Sequence, residues 1–201
     1  MMHFPQLTRR PNYKKTRKGD YYASYSEYYT EIAEDCQYRC VYCDVVAEEI
    51  GGEGMQLDHF KPQKHFPQLD SNPENLVLAC AVCNRLKSDW WPGITCDTKN
   101  GTCGFIDPFI TNKNQYFLVN TNGQIIPKTH PSKYLIELLS LNRVTRVTIR
   151  RKRIILSRAT SLLQFIEDEL TTLVDKPINE IKARMPQLVA ALGDVRALLQ
   201  I

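Results

Sequence analysis

Two short cysteine pairs, Cys40-Val41-Tyr42-Cys43 and Cys80-Ala81-Val82-Cys83, decide the fold of this chain. A two-residue gap lets both thiolates of a pair turn toward one metal ion from a tight turn, here called a knuckle. Zinc prefers four ligands in a tetrahedron, so two knuckles complete one closed structural site. Two well-separated copies are much stronger evidence than a lone C-x-x-C, which also occurs in redox motifs. The sequence therefore predicts a structural Zn²⁺ bound by four cysteines.

Polar residues suited to hydrolysis lie between the two knuckles and just after them. Cutting a phosphodiester requires activation of water and stabilisation of the charge on the phosphate and the leaving oxygen. Neutral imidazole can accept a proton from water at physiological pH, so His59 is the predicted general base. Carboxylate and amide oxygens suit a magnesium ion that keeps several waters. Asp58 and Asn84 are therefore the predicted ligands of a catalytic ion.

The region between the knuckles predicts the order strand, long loop, strand and helix: an extended segment over 55–60, a short apolar strand over 76–78 and a short helix over 84–90. Neighbouring residues on a regular strand point to opposite faces. Asp58 and His59 can therefore share one site only if the strand ends or bulges there. Pro62 cannot donate a ladder hydrogen bond, which fits a strand that stops near His59.

Four segments of this region resemble the HNH endonuclease family, of the ββα-metal fold: CVYC (40–43), LDHFKP (57–62), PENL (73–76) and CAVCNRLK (80–87). The resemblance implies that His59 is the general base and that Asn75 braces the loop that orients it. The third motif position is often histidine in the family but is Asn84 here. This resembles the HNN variants, in which the asparagine binds the metal with the aspartate before the base. The resemblance therefore implies one catalytic divalent ion, Mg²⁺ or Mn²⁺, beside the structural Zn²⁺.

Two basic clusters flank this region, although the whole chain has 26 basic and 22 acidic residues and a formal charge of only +4. The first cluster lies at residues 9–18 and the second at residues 143–158. Each is either a solvated surface or a contact for nucleic-acid phosphates. The predicted nucleic-acid contacts are Arg150, Arg151 and Arg153, together with Lys87, for which a solvated helix position is the alternative.

The predicted fold class is α+β, with an HNH core of the ββα-metal type, its structural zinc and a helical C-terminal appendage. Four regions are expected: a basic N-terminal arm and helix (1–35), the nuclease core (36–95), a loop and β-hairpin connection (96–130) and a helical region (131–201). The arm is polar and basic, so we expect it to be ordered only where it touches something.

Local patterns predict the elements outside the core. Residues 21–35 place tyrosines and apolar residues at helical spacing, which favours core packing over stacking on bases. Asn122-Gly123 predicts the turn of a β-hairpin. Apolar residues at helical spacing predict helices after Pro131, from Val144 toward Pro177, and over 187–199.

Cysteine usage and hydropathy set the expected compartment. The chain has seven cysteines, an odd number, and no apolar targeting stretch opens it, so a reducing cytoplasm is predicted. No run approaches the roughly eighteen apolar residues that a membrane span requires. Cys36, Cys96 and Cys103 lack evident partner ligands and are interpreted as ordinary thiols, and His65 and His130 as ordinary histidines.

The leading functional hypothesis is a metal-dependent endonuclease that cuts nucleic acid, with DNA favoured over RNA. One alternative is a zinc-scaffolded nucleic-acid-binding module without catalysis. Another is the effector subunit of an antiphage defence system, because small HNH proteins with helical tails resemble effectors controlled by an ATPase partner. The C-terminal helices would then be the docking surface.

Overall fold

The chain is a mixed helical and β-sheet protein, for which a computed structural model describes residues 4–51, 54–94 and 104–200. The chain forms two compact units, with the boundary between Val147 and Thr148. The division into four regions stays a prediction. Cys96 and Cys103 lie outside the described residues. Within those residues, no helix combines the length and the apolar character needed to cross a lipid bilayer.

Two antiparallel strands and a short helix form the centre of the first unit. β1 (Met55–His59) pairs with β2 (Leu76–Cys80) in continuous register, from Met55 opposite Cys80 to His59 opposite Leu76. β2 is buried along its whole length and leads directly into α2 (Ala81–Lys87). The first strand thus ends at His59 without a bulge, the simpler of the two geometries that the sequence allows.

Helix α1 (Tyr29–Asp35) precedes the first knuckle and is shorter than the segment predicted over 21–35. A 3-10 turn at Tyr25–Tyr28 leads into it. The ring of Tyr28 is fully buried, with Tyr21 and Tyr22 edge-on to it at centroid distances of 6.2 Å. Tyr21, Tyr22 and Tyr28 therefore pack together as the sequence predicts, whereas Tyr25 and Tyr29 are exposed.

The basic N-terminal arm is packed against the first unit from residue 4 onward. Phe4 is buried, and the guanidinium of Arg9 donates to the carbonyl oxygen of Leu76 at 3.1 Å. Arg10 donates to Asp35 at 2.9 Å. These two arginines form hydrogen bonds with groups of the protein itself. The arm is therefore not simply a set of free charges for binding nucleic acid.

A β-hairpin and a helix complete the first unit. β3 (Phe117–Val119) pairs with β4 (Ile125–Pro127) around the predicted turn, and α3 (His130–Leu138) follows with Pro131 in its first turn. The side chain of Asn142 forms hydrogen bonds of 2.7 and 2.8 Å with the backbone of Ile125, which fixes the chain beyond α3 to β4. The largest fully buried apolar side chains of this unit are Phe4, Tyr28, Ile32, Leu76, Leu78, Ile125, Leu139, Leu141, Val45 and Val77.

The second unit contains most of α4 (Val144–Leu173) together with α5 (Ile178–Leu199). α5 begins well before the predicted start at Gln187 and continues through Pro186. Proline removes one helical hydrogen bond, to the carbonyl of Lys182, but both residues are exposed, so water can bind that carbonyl. The core of this unit consists of Ile166, Leu173, Leu188, Ala191 and Val195.

Candidate active site and metal centre

The four cysteines of the two knuckles come together as one buried cluster that could hold a metal ion. Their sulfur atoms all lie within 4.8 Å of one another. A tetrahedral site with zinc–sulfur bonds of about 2.3 Å places its sulfurs about 3.8 Å apart, and Cys43 Sγ lies 3.8 Å from Cys80 Sγ. Across the described ranges, no other group of three or more His, Cys, Asp or Glu side chains is arranged this closely.

Backbone contacts hold the two knuckles in place. In the first knuckle the N–H of Asp44 donates to the carbonyl of Cys40 at 2.9 Å, which closes the turn. The N–H of Val41 donates to the carbonyl of Leu78 in β2, also at 2.9 Å. The second cysteine pair ends β2 and opens α2. A metal ion bound by all four sulfurs would join the first knuckle to the strand–helix junction.

Asp58 is buried, and each oxygen of its carboxylate accepts one hydrogen bond. Its carboxylate accepts hydrogen bonds from the Tyr42 hydroxyl and, at 3.0 Å, from the ammonium of Lys87. Burial raises the pKa of Asp58, whereas the positive charge of Lys87 and the Tyr42 hydrogen bond lower it. Tyr42 stands between the cysteines of the first knuckle, so the same turn that presents two thiols also positions this carboxylate.

Lys87 is placed differently from the phosphate contact that the sequence predicts. Its side chain has no exposed surface, and its ammonium also donates to the carbonyl of His59 at 2.7 Å. Burial lowers the pKa of Lys87, and the neighbouring Asp58 raises it. The ammonium of Lys87 is bound by groups inside the protein, so this residue joins α2 to the end of β1 and is not available to a nucleic acid.

Replacing Lys87 by methionine should destabilise the protein by roughly 3–5 kcal/mol, because it leaves the Asp58 carboxylate buried without its cation. The loss should be smaller at pH 5 than at pH 8. Without Lys87 the folded-state pKa of Asp58 rises further, so protonation at low pH removes the buried charge, and stability falls as pH rises through that pKa. Urea unfolding at the two pH values measures both effects.

Lys64→Met is the matched control for this variant. Lys64 also pairs with an aspartate, Asp89, but the lysine side chain is 71% exposed, and exposed pairs contribute little to stability. Equal destabilisation by both substitutions would show that burial of the Asp58–Lys87 pair has no special consequence.

His59 is held by the loop that follows β1. Its Nε2 lies 2.8 Å from the backbone oxygen of Asp70 and 3.2 Å from an oxygen of the Asp70 carboxylate. A carbonyl oxygen can only accept, so Nε2 is the donor and a neutral ring presents Nδ1 as the proton acceptor. The ring of Tyr25 covers the imidazole edge-on, at a centroid distance of 4.8 Å. This geometry leaves His59 capable of acting as a base through Nδ1.

Asn75 makes the contacts that a bracing role requires. Its amide oxygen accepts from the backbone N–H of Lys61 at 2.9 Å, and its amide nitrogen donates to the Lys61 carbonyl at 3.0 Å. This pair continues the β1–β2 pairing two residues beyond His59. The loop that follows the histidine is thereby anchored, whereas a part for Asn75 in catalysis stays a prediction.

Asn84 lies in the first turn of α2 and leans on β1. Its amide nitrogen donates to the Gln56 side-chain oxygen at 3.0 Å, so its amide oxygen is the atom that can coordinate a cation. Gln56 precedes Asp58 by two residues and therefore shares its side of the strand. Asn84 and Lys87 thus contact β1 one above the other, at Gln56 and at Asp58.

The arginines predicted to contact nucleic acid differ in accessibility. Arg151 is exposed and Arg153 is partly exposed, but Arg150 is only 1% exposed. Arg146, four residues before Arg150 and on the same face of α4, is buried as well. The basic cluster therefore has an inward-facing stripe that no phosphate reaches and an outward-facing side that remains a candidate surface.

Comparison with known proteins relates this region to a family. Residues 40–89 match the HNH endonuclease family. The recognition of an HNH domain from its motifs is thereby confirmed for this segment. The chain is also similar to the Septu protein PtuB of Bacillus thuringiensis, with 27% identity over 113 residues. That alignment covers 56% of this chain and 40% of PtuB, so the match spans about two fifths of the length of that relative.

Several residues that shape the HNH site escape sequence reasoning. Asp70 lies in the irregular loop after β1, where no periodicity signals its approach to His59. Gln56 could have been found from the alternation of β1, since it shares a face with Asp58. Tyr42 carries a weaker signal, its position between the two cysteines of the first knuckle. Only the tertiary fold reveals that its hydroxyl reaches a carboxylate.

Proposed function

We propose that this chain is a metal-dependent endonuclease that hydrolyses phosphodiester bonds, with DNA as its substrate. The observation that carries the proposal is the contact between Asn84 and Gln56, which sets the start of α2 beside the strand that ends in Asp58 and His59. The match of residues 40–89 to the HNH endonuclease family supports it. We assign β1, β2 and α2 to the ββα-metal fold of that family, with Zn²⁺ on the four cysteines.

Each site residue has a chemical part in this proposal. His59, with its Nε2–H on the Asp70 backbone, accepts the proton of the attacking water at Nδ1. Asp58 and Asn84 would hold a Mg²⁺ or Mn²⁺ ion, because each carboxylate oxygen of Asp58 keeps a lone pair beyond its present hydrogen bond. Such an ion would stabilise charge on the phosphate and the leaving oxygen. Asn75 keeps the loop after His59 in place.

The exposed part of the basic cluster is the proposed grip on the nucleic-acid backbone. Arg151 and Lys152 are exposed, so their charges can displace counterions from phosphates, and Arg153 beside them is partly exposed. Backbone contacts of this kind carry no sequence information. We therefore propose binding that weakens steeply with added salt and shows little preference for sequence.

A second candidate function is the effector subunit of an antiphage defence system that works with an ATPase partner. The similarity to the Septu protein PtuB favours this candidate. The second unit adds a surface for another protein, because exposed apolar residues recur at intervals of seven along both of its helices. They are Leu156, Leu163 and Leu170 on α4 and Ile178, Met185, Leu192 and Leu199 on α5.

This spacing is typical of helices that pack against further helices. The short connection between α4 and α5 makes them antiparallel neighbours. On each helix the apolar stripe is rotated by about a quarter turn from the core-facing residues, in the same sense along the chain. In an antiparallel pair both stripes therefore face the same side. We propose that a helical segment of the partner protein binds there.

One assay tests these proposals. Supercoiled plasmid is incubated with the purified chain and Mg²⁺ or Mn²⁺, with and without excess chelator, and with the candidate ATPase as a further arm. We expect nicked plasmid that disappears with chelator. A chain that is inactive alone but cuts when the ATPase is present would establish the effector reading. Metal-dependent cutting in neither arm, with nucleic-acid binding retained, would favour a binding module without catalysis.

A further inference from the structure

The cysteine cluster is contacted by two arginines that the nuclease chemistry does not use. Arg143 places Nη2 3.5 Å from the sulfurs of Cys80 and Cys83 and 3.9 Å from that of Cys43. Arg146 places its own Nη2 3.5 Å from the sulfur of Cys80. Both belong to the basic cluster that the sequence leaves open to phosphate binding, and both instead point at thiols.

The net charge of the site with zinc bound explains why arginines lie beside it. One Zn²⁺ and four thiolates together carry a net charge of about −2. All four cysteines are buried, and a buried charge is costly unless a counter-charge accompanies it. Two guanidinium groups supply charge of the opposite sign in equal amount. Their N–H groups also form charge-assisted hydrogen bonds with the sulfurs.

Arg143 is held in the orientation that these contacts need. Its Nη1 donates to the carbonyl oxygens of Leu139 and Ser140, at 3.2 and 3.3 Å, where the chain leaves α3. The other terminal nitrogen, Nη2, then faces the sulfurs. The backbone N–H of Arg146 donates to the carbonyl of Arg143 at 2.9 Å, so the two arginines form one turn at the start of α4.

A third cation lies behind the first knuckle. The ammonium of Lys113 donates to the carbonyl of Val41 at 2.7 Å and sits 4.6 Å from the centroid of the Phe4 ring. Lys113 is buried, so its charge also acts in an environment with little water. Lys113 therefore adds a positive charge beside the first knuckle, where the buried Asp44 is its foremost charged neighbour.

We propose that Arg143 and Arg146 are charge-compensating residues of the zinc–thiolate centre. They lower the free energy of four thiolates held around one ion and so raise the affinity for zinc. They also attach the first turn of α4 to the metal centre. This inference goes beyond the proposed nuclease function and does not depend on it, because it concerns metal affinity alone.

Zinc affinity of the full-length chain, measured by competition with a chromogenic chelator, tests the proposal. We expect the double variant Arg143→Gln/Arg146→Gln to bind zinc about 10- to 100-fold more weakly than wild type, the range seen when outer-shell partners of metal ligands are removed. Arg143→Gln alone should show part of this loss, and Arg143→Lys should retain more affinity than Arg143→Gln. Arg151→Gln, on the exposed side of α4, is the matched control and should leave zinc affinity unchanged.

Cobalt substitution separates charge compensation from a merely structural effect. The Co²⁺-loaded variants should keep the absorption bands of a tetrahedral four-sulfur site, since the ligands themselves are intact. A double variant whose zinc affinity stays within about twofold of wild type, instead of falling 10- to 100-fold, would overturn the proposal. So would a double variant that stays unfolded in saturating zinc while Arg143→Gln alone binds zinc normally. Failure of the plasmid assay leaves this measurement unaffected, because no nucleic acid is present.

Discussion

Replacing Cys80 by serine should unfold the region around β1, β2 and α2. Cys80 ends β2 and directly precedes α2, and its sulfur lies within 4.8 Å of the other three. Structural zinc contributes an apparent binding free energy of about 10–16 kcal/mol in small zinc domains, comparable to or above the roughly 5–15 kcal/mol by which whole proteins are stable. Loss of one ligand should therefore remove both the ion and the fold of this region.

The measurements for this prediction are the zinc content of the purified protein, near-ultraviolet circular dichroism and thermal unfolding. Cys36→Ser is the matched control, because Cys36 is a buried thiol of the same unit that lies outside the cluster. Its sulfur accepts a hydrogen bond from the Leu78 N–H at 3.3 Å, and burial raises its pKa to about 12. We expect the control to retain zinc and to lose only about 1–3 kcal/mol. A Cys80→Ser protein without zinc that melts like wild type would show that the cluster has no structural role.

His59→Ala should reduce metal-dependent plasmid nicking by about 10²- to 10⁴-fold, the usual contribution of a positioned general base. Nδ1 of His59 is the proposed proton acceptor, and alanine offers none. The side chain contributes little to the β1–β2 pairing, which runs through the backbone. Binding of nucleic acid should therefore persist, and the defect should lie in the rate of cutting under single-turnover conditions.

His65→Ala is the matched control for His59→Ala. His65 lies in the loop that follows β1, is also partly buried, and also has Nε2 beside a backbone oxygen, that of Asp89 at 3.1 Å. Loss of an imidazole held in this manner should cost little activity if it is not the base. Equal losses in both variants would show that loop structure, and not proton transfer, accounts for the effect.

The sequence predicts the order of the elements in the HNH region because each is encoded over a few residues, although α2 lies three residues earlier than the helix predicted over 84–90. Cysteine spacing defines the knuckles, and the apolar run at 76–78 marks β2. The limits of elements are less accurate where tertiary contacts set them. Helix α1 starts at Tyr29 because the earlier tyrosines pack on Tyr28 from outside it. α5 continues through Pro186 because exposed backbone there can bind water.

The assignments of individual charges are where sequence and structure diverge most. Lys87 and Arg150 have the residue type of phosphate contacts, yet both are buried. Arg9 and Arg10 of the basic arm donate to a backbone oxygen and a carboxylate of the first unit. A basic side chain looks the same in a sequence whether its partner is a phosphate, a carboxylate or a thiolate. Only the segments brought beside it decide which.

By itself the sequence determined the grouping of the four cysteines, the order of strands and helix, and the HNH motifs that contain Asp58, His59, Asn75 and Asn84, because these depend on short-range spacing. The tertiary structure alone decided what surrounds them. It brings Asp70 to His59, Lys87 and Tyr42 to Asp58, and Arg143 and Arg146 to the cysteines. These partners come from segments whose sequence separation carries no periodic signal. Their pairing is fixed by burial, which requires each buried polar or charged group to meet a group of opposite charge or a hydrogen-bond partner.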